Sequence, residues 1–293
     1  MPRCGDHNSA ALRCRPPGRP SFRLEPPRLF WHHGAVNLNL IAARTAAVTA
    51  ARAAGRVMRA NWHKPKRVIL SDAHDIKLEL DVRCQKLIES SLRQAFPRVP
   101  VLGEEGITGD VTADYRWVVD PIDGTVNYAS GLPHAAVSIA LQQAEQSVVG
   151  VIYDPFTDEL WTVIRGGPTR LNGRIVRVSD RTRIEDSIIA IGFSKSTANL
   201  EHCLPHLNRL MRRAKKVRIL GSAALELAYV ASGRLDAYVE RRIRLWDVAA
   251  GSLMVEAAGG EYYALAVPGQ YRYTMVADNG RLRKKLRIEG MLK

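Results

Sequence analysis

The chain has 293 residues, 46% of them hydrophobic and 25% charged, proportions ordinary for a globular protein with a sizeable core. No apolar run approaches the roughly 18 residues of a membrane-spanning helix, and the N-terminus lacks the apolar core of a secretory signal, so a cytoplasmic protein with no membrane partner is expected. The formal charge of +14 is the unusual bulk property and favours anionic partners, whether nucleic acid or small anionic substrates.

Residues 1–36 hold six arginines against Asp6 and Glu25, and six of the fifteen prolines, without helical or strand periodicity. They read as a disordered basic arm; alternatively, the native chain starts near Val36, just before a clean helix. From Asn37, NLNLIAARTAAVTAARAAGRVMRANW is alanine-rich with Asn37 or Asn39 available as N-cap, which predicts a long helix. After a polar stretch, DVRCQKLIESSLRQAF spaces Val82, Leu87, Leu92 and Phe96 at helical intervals and predicts a second helix. Strands follow at RWVVD, AAVSIALQ, SVVGVIYD and ELWTVIR, punctuated by Gly, Pro and Asp. The second half alternates: SIIAIGF as strand, 199–213 as helix, KVRIL as strand, 223–231 as helix, RLDAYVE as strand and WDVAAGSLMVEAAGG as helix. Such alternation predicts a mixed sheet covered by helices.

Cys4, Cys14, Cys84 and Cys203 are scattered, which points to free thiols and away from a zinc site or a disulfide framework. Three basic runs lie outside the arm, RRAKKVR (212–218), ERRIR (240–244) and RLRKKLR (281–287). They read as solvated faces ahead of nucleic-acid contacts.

The stretch DPIDGTVNY ends an apolar strand on Asp120 and Asp123, with Gly124-Thr125 directly behind. Either the pair forms an Asx turn and helix cap, or it surrounds something positive. A strand ending at Asp120, a Pro-containing turn and a helix starting near Gly124 would aim both carboxylates and the helix's free N–H groups at one spot. With hard cations between the acids, that geometry becomes a phosphate site held on its far side by the Gly124 and Thr125 amides. Other acids stand at predicted element ends: Glu104 and Glu105 in VLGEEG, Asp247 in LWDVAAG, and Asp81 at the mouth of the second helix. Each of the last two is also a reasonable cap residue. Haloacid-dehalogenase phosphatases use D-x-D-G-T with an aspartate nucleophile, but the extra residue between the acids here and the motif's position deep in the chain argue against them.

GEEG, WVVDPIDGTVNYASGLPHAAVSIAL and LWDVAAGSLMVEAAGG, in that order, resemble the inositol monophosphatase family, with further matches at GVIYDP, LNGRIVRVS and GSAALELAYVASGRLDAYVE. The last phrase is most similar to the bacterial inositol-1-monophosphatase branch. The resemblance implies an α+β fold, a layered αβαβα sandwich, and a Mg²⁺-dependent, lithium-sensitive phosphomonoesterase that is usually a homodimer. It implies metal ligation by Glu104, Asp120, Asp123 and the Ile122 carbonyl, with Asp247 completing a second site and Asp81 helping to hold a weaker third ion. Glu104 and Thr125 would orient and deprotonate the attacking water, supported by Glu105. Asp123, Gly124, Thr125 and Asp247 would meet the substrate's phosphoryl end, and Ala223 and Glu240 its polyol end. On this reading the chain divides into the arm (1–36), an N-terminal α+β half with the metal and phosphate motifs (37–180) and a C-terminal α/β half with the substrate-side residues (181–293).

Three positions depart from the family's pattern. Leu78 stands where a threonine is usual and Leu70 where a lysine is common, both near the third-ion region, and His134 replaces an aromatic residue; His134 reads as a supporting or surface histidine. The expected substrate is a small phosphorylated polyol, since a carboxylate such as Glu240 accepts hydroxyl hydrogen bonds. Adenosine bisphosphate, fructose 1,6-bisphosphate and NADP are the alternatives within enzymes. A binding role toward RNA or the transcription machinery is the alternative outside them, and without interleaved aromatics its RNA contacts would be nonspecific.

Overall fold

The computed structural model describes residues 38–71, 76–193 and 197–288, so the arm and Asn37 lie outside the described residues. Asn39 is the first cap. Its side chain accepts hydrogen bonds from the Ile41 and Ala42 amides, both at 3.0 Å, and α1 (Leu40–Ala60) follows. The helix buries Ala43, Ala47, Ala50, Ala51, Ala54, Gly55 and Met58. These small side chains let its backbone approach the sheet closely: a Cβ on Gly55 would stand 2.5 Å from the Tyr153 ring.

In chain order there follow β1 (Val68–Ser71), β2 (Ile76–Leu78), α2 (Glu79–Ala95), β3 (Val101–Gly103), β4 (Gly106–Thr108), β5 (Tyr115–Asp123) and α3 (Thr125–Ala129). Next come β6 (Ala136–Gln143), β7 (Gln146–Asp154), β8 (Glu159–Ile164), β9 (Arg170–Leu171) and β10 (Arg174–Ile175). The remainder is β11 (Ile188–Phe193), α4 (Thr197–Arg213), β12 (Lys216–Arg218), α5 (Ala223–Ala231), β13 (Ala237–Arg244), α6 (Leu245–Ala257), β14 (Glu261–Ala266), β15 (Arg272–Asp278) and α7 (Arg283–Leu286).

Two sheets organise these elements: an eight-stranded one in the order β10-β9-β8-β7-β6-β5-β3-β4, and a five-stranded one in the order β12-β11-β13-β15-β14. Strand alternation distributes the core among the layers. Trp117, Val119, Ile139, Leu141 and Val151 face α1 and α2, whereas Val118, Ala140 and Ile152 face α5 and α6. Ala190, Tyr238, Met275 and Ala277 of the five-stranded sheet close on α5 and α6 from the other side. Its outer face, with Ile189, Ile191, Val239 and Val276, is covered by Cys203 and Leu210 of α4, by Leu282 just before α7 and by Leu286 within it. The result is the expected α+β sandwich layered αβαβα. Because both faces of β5 to β7 are covered, those strands read as continuous apolar runs.

The structure corrects several boundaries. β5 runs on past Asp120 to Asp123, and the register shifts between Asp120 (opposite Ser138) and Asp123 (opposite Ala136). The intervening residues form a bulge, where Pro121, lacking an N–H, is tolerated. β13 continues past Glu240 to Arg244 with its own register shift between Arg241 and Ile243, so ERRIR is the half-buried end of a strand and no solvated face. The antiparallel pair β1–β2 and the pair β14–β15 were not anticipated. Cys84 and Cys203 are buried free thiols.

The central α5–α6 layer depends on close approach. A Cβ on Gly251 of α6 would lie 2.5 Å from Leu227 Cβ of α5. Gly251→Ala is therefore expected to destabilise the protein by about 1–3 kcal/mol, seen as a lower urea midpoint at unchanged m-value.

Candidate active site

The bulge at the end of β5 turns both acids toward one place. Asp120 Oδ1 accepts from the Ile122 amide at 3.0 Å, and the Thr125 hydroxyl donates to the Ile122 carbonyl at 2.9 Å. Gly124 occupies the left-handed region at φ 92°, and a Cβ there would come within 2.9 Å of the His134 carbonyl and 3.1 Å of the Gly221 carbonyl; only glycine meets both demands. Helix α3 does begin here, but it is only five residues long.

Asp123 reaches across to the start of α5. Its carboxylate accepts from the Ser222 hydroxyl at 2.5 Å and from the Ala224 and Ala223 amides at 2.8 and 3.2 Å. Asn127 Nδ2 reinforces the junction by donating to the carbonyls of His134 (2.9 Å) and Leu220 (2.8 Å). Asp247 lies in the first turn of α6 and accepts from the Arg244 amide at 3.0 Å, while Asp81, in the first turn of α2, accepts from the Leu78 amide at 2.6 Å. Both are helix caps in the ordinary sense, and each caps from beside the β5 acids.

Asp120, Asp123 and Asp247 offer ligand oxygens that all lie within 4.8 Å of one another. Glu104 and Asp81 lie outside this tight set, yet their charges reach it. Burial, then the charges of Glu104, Asp123, Asp247 and Asp81, push the Asp120 carboxyl well above the usual carboxylate range. Asp247 is raised in the same way by burial, Glu104 and Asp123. Burial lifts Asp123 to about 6 against the opposing hydrogen bonds from Ser222 and the α5 amides. Among the described residues, no Lys or Arg pairs with any of the three. A donor set made only of oxygens and mutually repelling, with Asp120 and Asp123 buried and Asp247 half-buried, suits a hard divalent cation such as Mg²⁺.

Glu104 follows β3 as an exposed residue, its amide donating to the Val119 carbonyl at 3.1 Å. Glu105 turns elsewhere: its side chain pairs with Lys77, and its amide donates to Gln85 Oε1 at 2.8 Å. Ala223 is brought to Asp123 by the hydrogen bond given above, and Glu240, half-buried on β13, accepts from the Tyr238 hydroxyl. Although Arg241 and Arg242 follow it directly, among the described residues neither forms a salt bridge with Glu240. His134 is half-buried beside the Tyr229 ring, 5.9 Å between centroids, and serves the site through its carbonyl. Leu78 is buried, while Leu70 is exposed on β1. Residues that sequence reasoning missed are Ser222, Asn127, Gln85, Glu226 and Tyr238; of these only Ser222, directly before an apolar helix, carried a local signal as a cap.

A sandwich layered αβαβα, with a cation-ready acid cluster at a strand bulge and the starts of helices gathered round it, has the make-up of a metal-dependent phosphatase. The chain belongs to the inositol monophosphatase family, whose model matches residues 41–282. It is similar to the Nus factor SuhB of Xylella fastidiosa, with 42% identity over 218 residues, 73% of this chain and 78% of the relative. It is also similar to the inositol-1-monophosphatase of Rhizobium meliloti, with 41% identity over 197 residues, 66% of this chain and 74% of the relative. The crystal structure of the extragenic suppressor protein suhB from Bartonella henselae superposes with a TM-score of 0.80 at 36% identity, covering 86% of this chain and 99% of that one.

Repulsion within the cluster has a measurable sign. In chelator, Asp120→Asn is expected to melt at or above the wild-type temperature because a buried like charge is gone. Mg²⁺ at 100 times its Kd should stabilise the wild type by about 2.7 kcal/mol and the variant far less; scanning calorimetry with and without the ion reads both effects.

Proposed function

We propose that the protein is a Mg²⁺-dependent phosphomonoesterase that hydrolyses inositol monophosphate, or a similar polyol phosphate, to the free alcohol and phosphate. The observation that carries this reading is the convergence of Asp120, Asp123 and Asp247 within 4.8 Å, next to the Gly124-Thr125 turn. Glu104, Asp120, Asp123, Asp247 and the Ile122 carbonyl would hold Mg²⁺, with Asp81 as an outer contributor. When bound, the ion neutralises phosphoryl charge and acidifies water.

The chain's own residues supply the rest. Glu104, exposed at the mouth of the cluster, accepts a proton from the attacking water. The Thr125 hydroxyl already donates to Ile122, so its oxygen is left to accept from that water and orient it. The Gly124 and Thr125 amides donate to phosphoryl oxygens as their charge grows. The departing alkoxide is a poor leaving group, and a water held by Asp247 delivers its proton. Glu240 accepts hydrogen bonds from the polyol hydroxyls, which favours polyol esters over an adenine base, as in adenosine bisphosphate or NADP, and serves inositol and other sugar alcohols alike.

A second reading has its own observation. Arg209 and Arg213 of α4 donate to the carbonyls of Arg287 and Lys285, at 3.0 and 2.9 Å, which joins the basic runs 212–218 and 281–287 on one surface. On this reading that surface attracts RNA phosphates without reading sequence.

Phosphate release should be measured with Mg²⁺ on inositol-1-phosphate, adenosine bisphosphate, fructose 1,6-bisphosphate and NADP. Inositol-1-phosphate is expected to turn over best, and Asp123→Asn to lose at least about a hundredfold in kcat; folded wild-type protein inactive on the whole panel would refute the enzyme reading. For the second reading, single-stranded RNA binding should weaken steeply with salt, and more so when Arg212, Lys216, Arg218 and Lys284 are replaced by Glu; binding indifferent to salt and to these changes would dismiss it.

A further inference from the structure

The turn that presents Glu104 is not shaped by its own residues. Glu104 and Glu105 are the two loop residues of the β3–β4 hairpin, which closes on the pair Gly103 and Gly106. Two-residue hairpin loops ordinarily take positive φ at one or both positions, because those turns match the twist of the flanking strands. Ala144 and Glu145, which join β6 to β7, comply with φ 45° and 67°. Glu104 and Glu105 both keep negative φ. Their turn therefore depends on contacts from outside the hairpin.

Those contacts centre on Gln85 of α2, which is 3% exposed. Its Oε1 accepts from the Glu105 amide at 2.8 Å, and its Nε2 donates to the Gly106 carbonyl at 3.1 Å. These backbone partners leave one orientation of the amide, since a main-chain N–H only donates and a carbonyl only accepts. Nε2 also donates to Glu89 Oε1 at 2.8 Å, and the other Glu89 oxygen accepts from the Thr108 hydroxyl of β4 at 3.0 Å. The carboxamide lies on Gly103, in the space a Cβ there would need. The Glu105 side chain is held by its ion pair with Lys77, and the Glu104 amide by the carbonyl of Val119, the residue before Asp120. The main chain on both sides of the Glu104 carboxylate is thus fixed from α2, β2 and β5. Asp81 stands four residues before Gln85 on the same helix, so α2 sets the place of both outlying acids.

We infer that Gln85 is a positioning residue for the hydrolytic site: it holds the β3–β4 turn in the shape that keeps the Glu104 carboxylate at the mouth of the acid cluster. The inference rests on the phosphomonoesterase reading, in which Glu104 helps to hold Mg²⁺ and accepts a proton from the attacking water. Leucine at position 85 fills a similar volume but leaves the Glu105 N–H and the Gly106 carbonyl without their partner. The turn is then released to other shapes. With both amide protons spent on the protein, Gln85 acts on the chemistry only through Glu104.

The test measures Mg²⁺ affinity by titration calorimetry, without substrate, and kcat and KM on the phosphate ester the wild type cleaves best. The proteins are the wild type, Gln85→Leu, Glu104→Gln, the two combined, and the exchange Gln85→Glu with Glu89→Gln, each checked for folding by near-ultraviolet circular dichroism. Gln85→Leu should weaken Mg²⁺ binding about tenfold and lower kcat about tenfold at saturating Mg²⁺, with KM for the ester within about twofold of the wild type. Added to Glu104→Gln, it should change Mg²⁺ affinity by less than about twofold, because the carboxylate it positions is already gone. The exchange keeps an acceptor toward the Glu105 amide and one carboxamide between positions 85 and 89, and should recover most of both losses. If folded Gln85→Leu matches the wild type, if its loss of Mg²⁺ affinity is the same with and without the Glu104 carboxylate, or if the exchange is as poor as Gln85→Leu, the inference is wrong while the phosphomonoesterase reading stands. Wild-type protein that binds no Mg²⁺ and cleaves no phosphate ester overturns that reading and the inference with it.

Discussion

The rest of the structure is arranged around one unfavourable interaction, the mutual repulsion of Asp120, Asp123 and Asp247 in a buried place. Nothing in the surrounding protein neutralises it with a cationic side chain among the described residues. What the fold provides is backbone: the Ile122 amide for Asp120, the Ala223 and Ala224 amides for Asp123, the Arg244 amide for Asp247 and the Leu78 amide for Asp81. The last four donors come from where α5, α6 and α2 begin, so the positive ends of three helix dipoles face the acids. These partial charges moderate the repulsion without cancelling it, which leaves an acid cluster that could hold a metal ion.

Much of this was legible in the sequence because the layers impose simple patterns. Alanines on one face of α1, the unbroken apolar runs of β5 to β7 and the strand–helix alternation after residue 187 all translate directly into the observed sandwich. The acids were legible as a choice between caps and ligands. That choice was false for Asp81 and Asp247, since each caps its helix and also stands by the cluster. The bulge at Pro121 was hidden because Pro read as a turn between two elements, whereas the pairing of Asp123 with Ala136 is known only once β6 is in place.

What escaped was whatever depends on distant segments meeting. Glu226 sits in ALELAYVA, where a lone acid looks like a surface charge; only the packing of α5 between the two sheets buries it. Asn127 looks like an ordinary helix residue until its amide is found holding the loop before α5, nearly a hundred residues away. The pair β14–β15 shows clear strand residues in EYYALA and RYTMVAD, but its weak flanking punctuation left it unassigned. The two basic runs near 215 and 285 looked like separate solvated stretches and share a surface only because α4 lies beside α7.

The middle layer has a further meaning for how the protein comes apart. Ser222, Ala223, Ala224 and Asp247 belong to α5, α6 and the turns that lead into them, and these helices are closed between the two sheets, with neither exposed on a free face of the sandwich. The helical part of this layer opens only when a sheet separates from its helices. The Asp123 and Asp247 side of the site is thereby tied to the integrity of the sandwich, whereas Glu104, exposed beyond β3, is held by a separate turn.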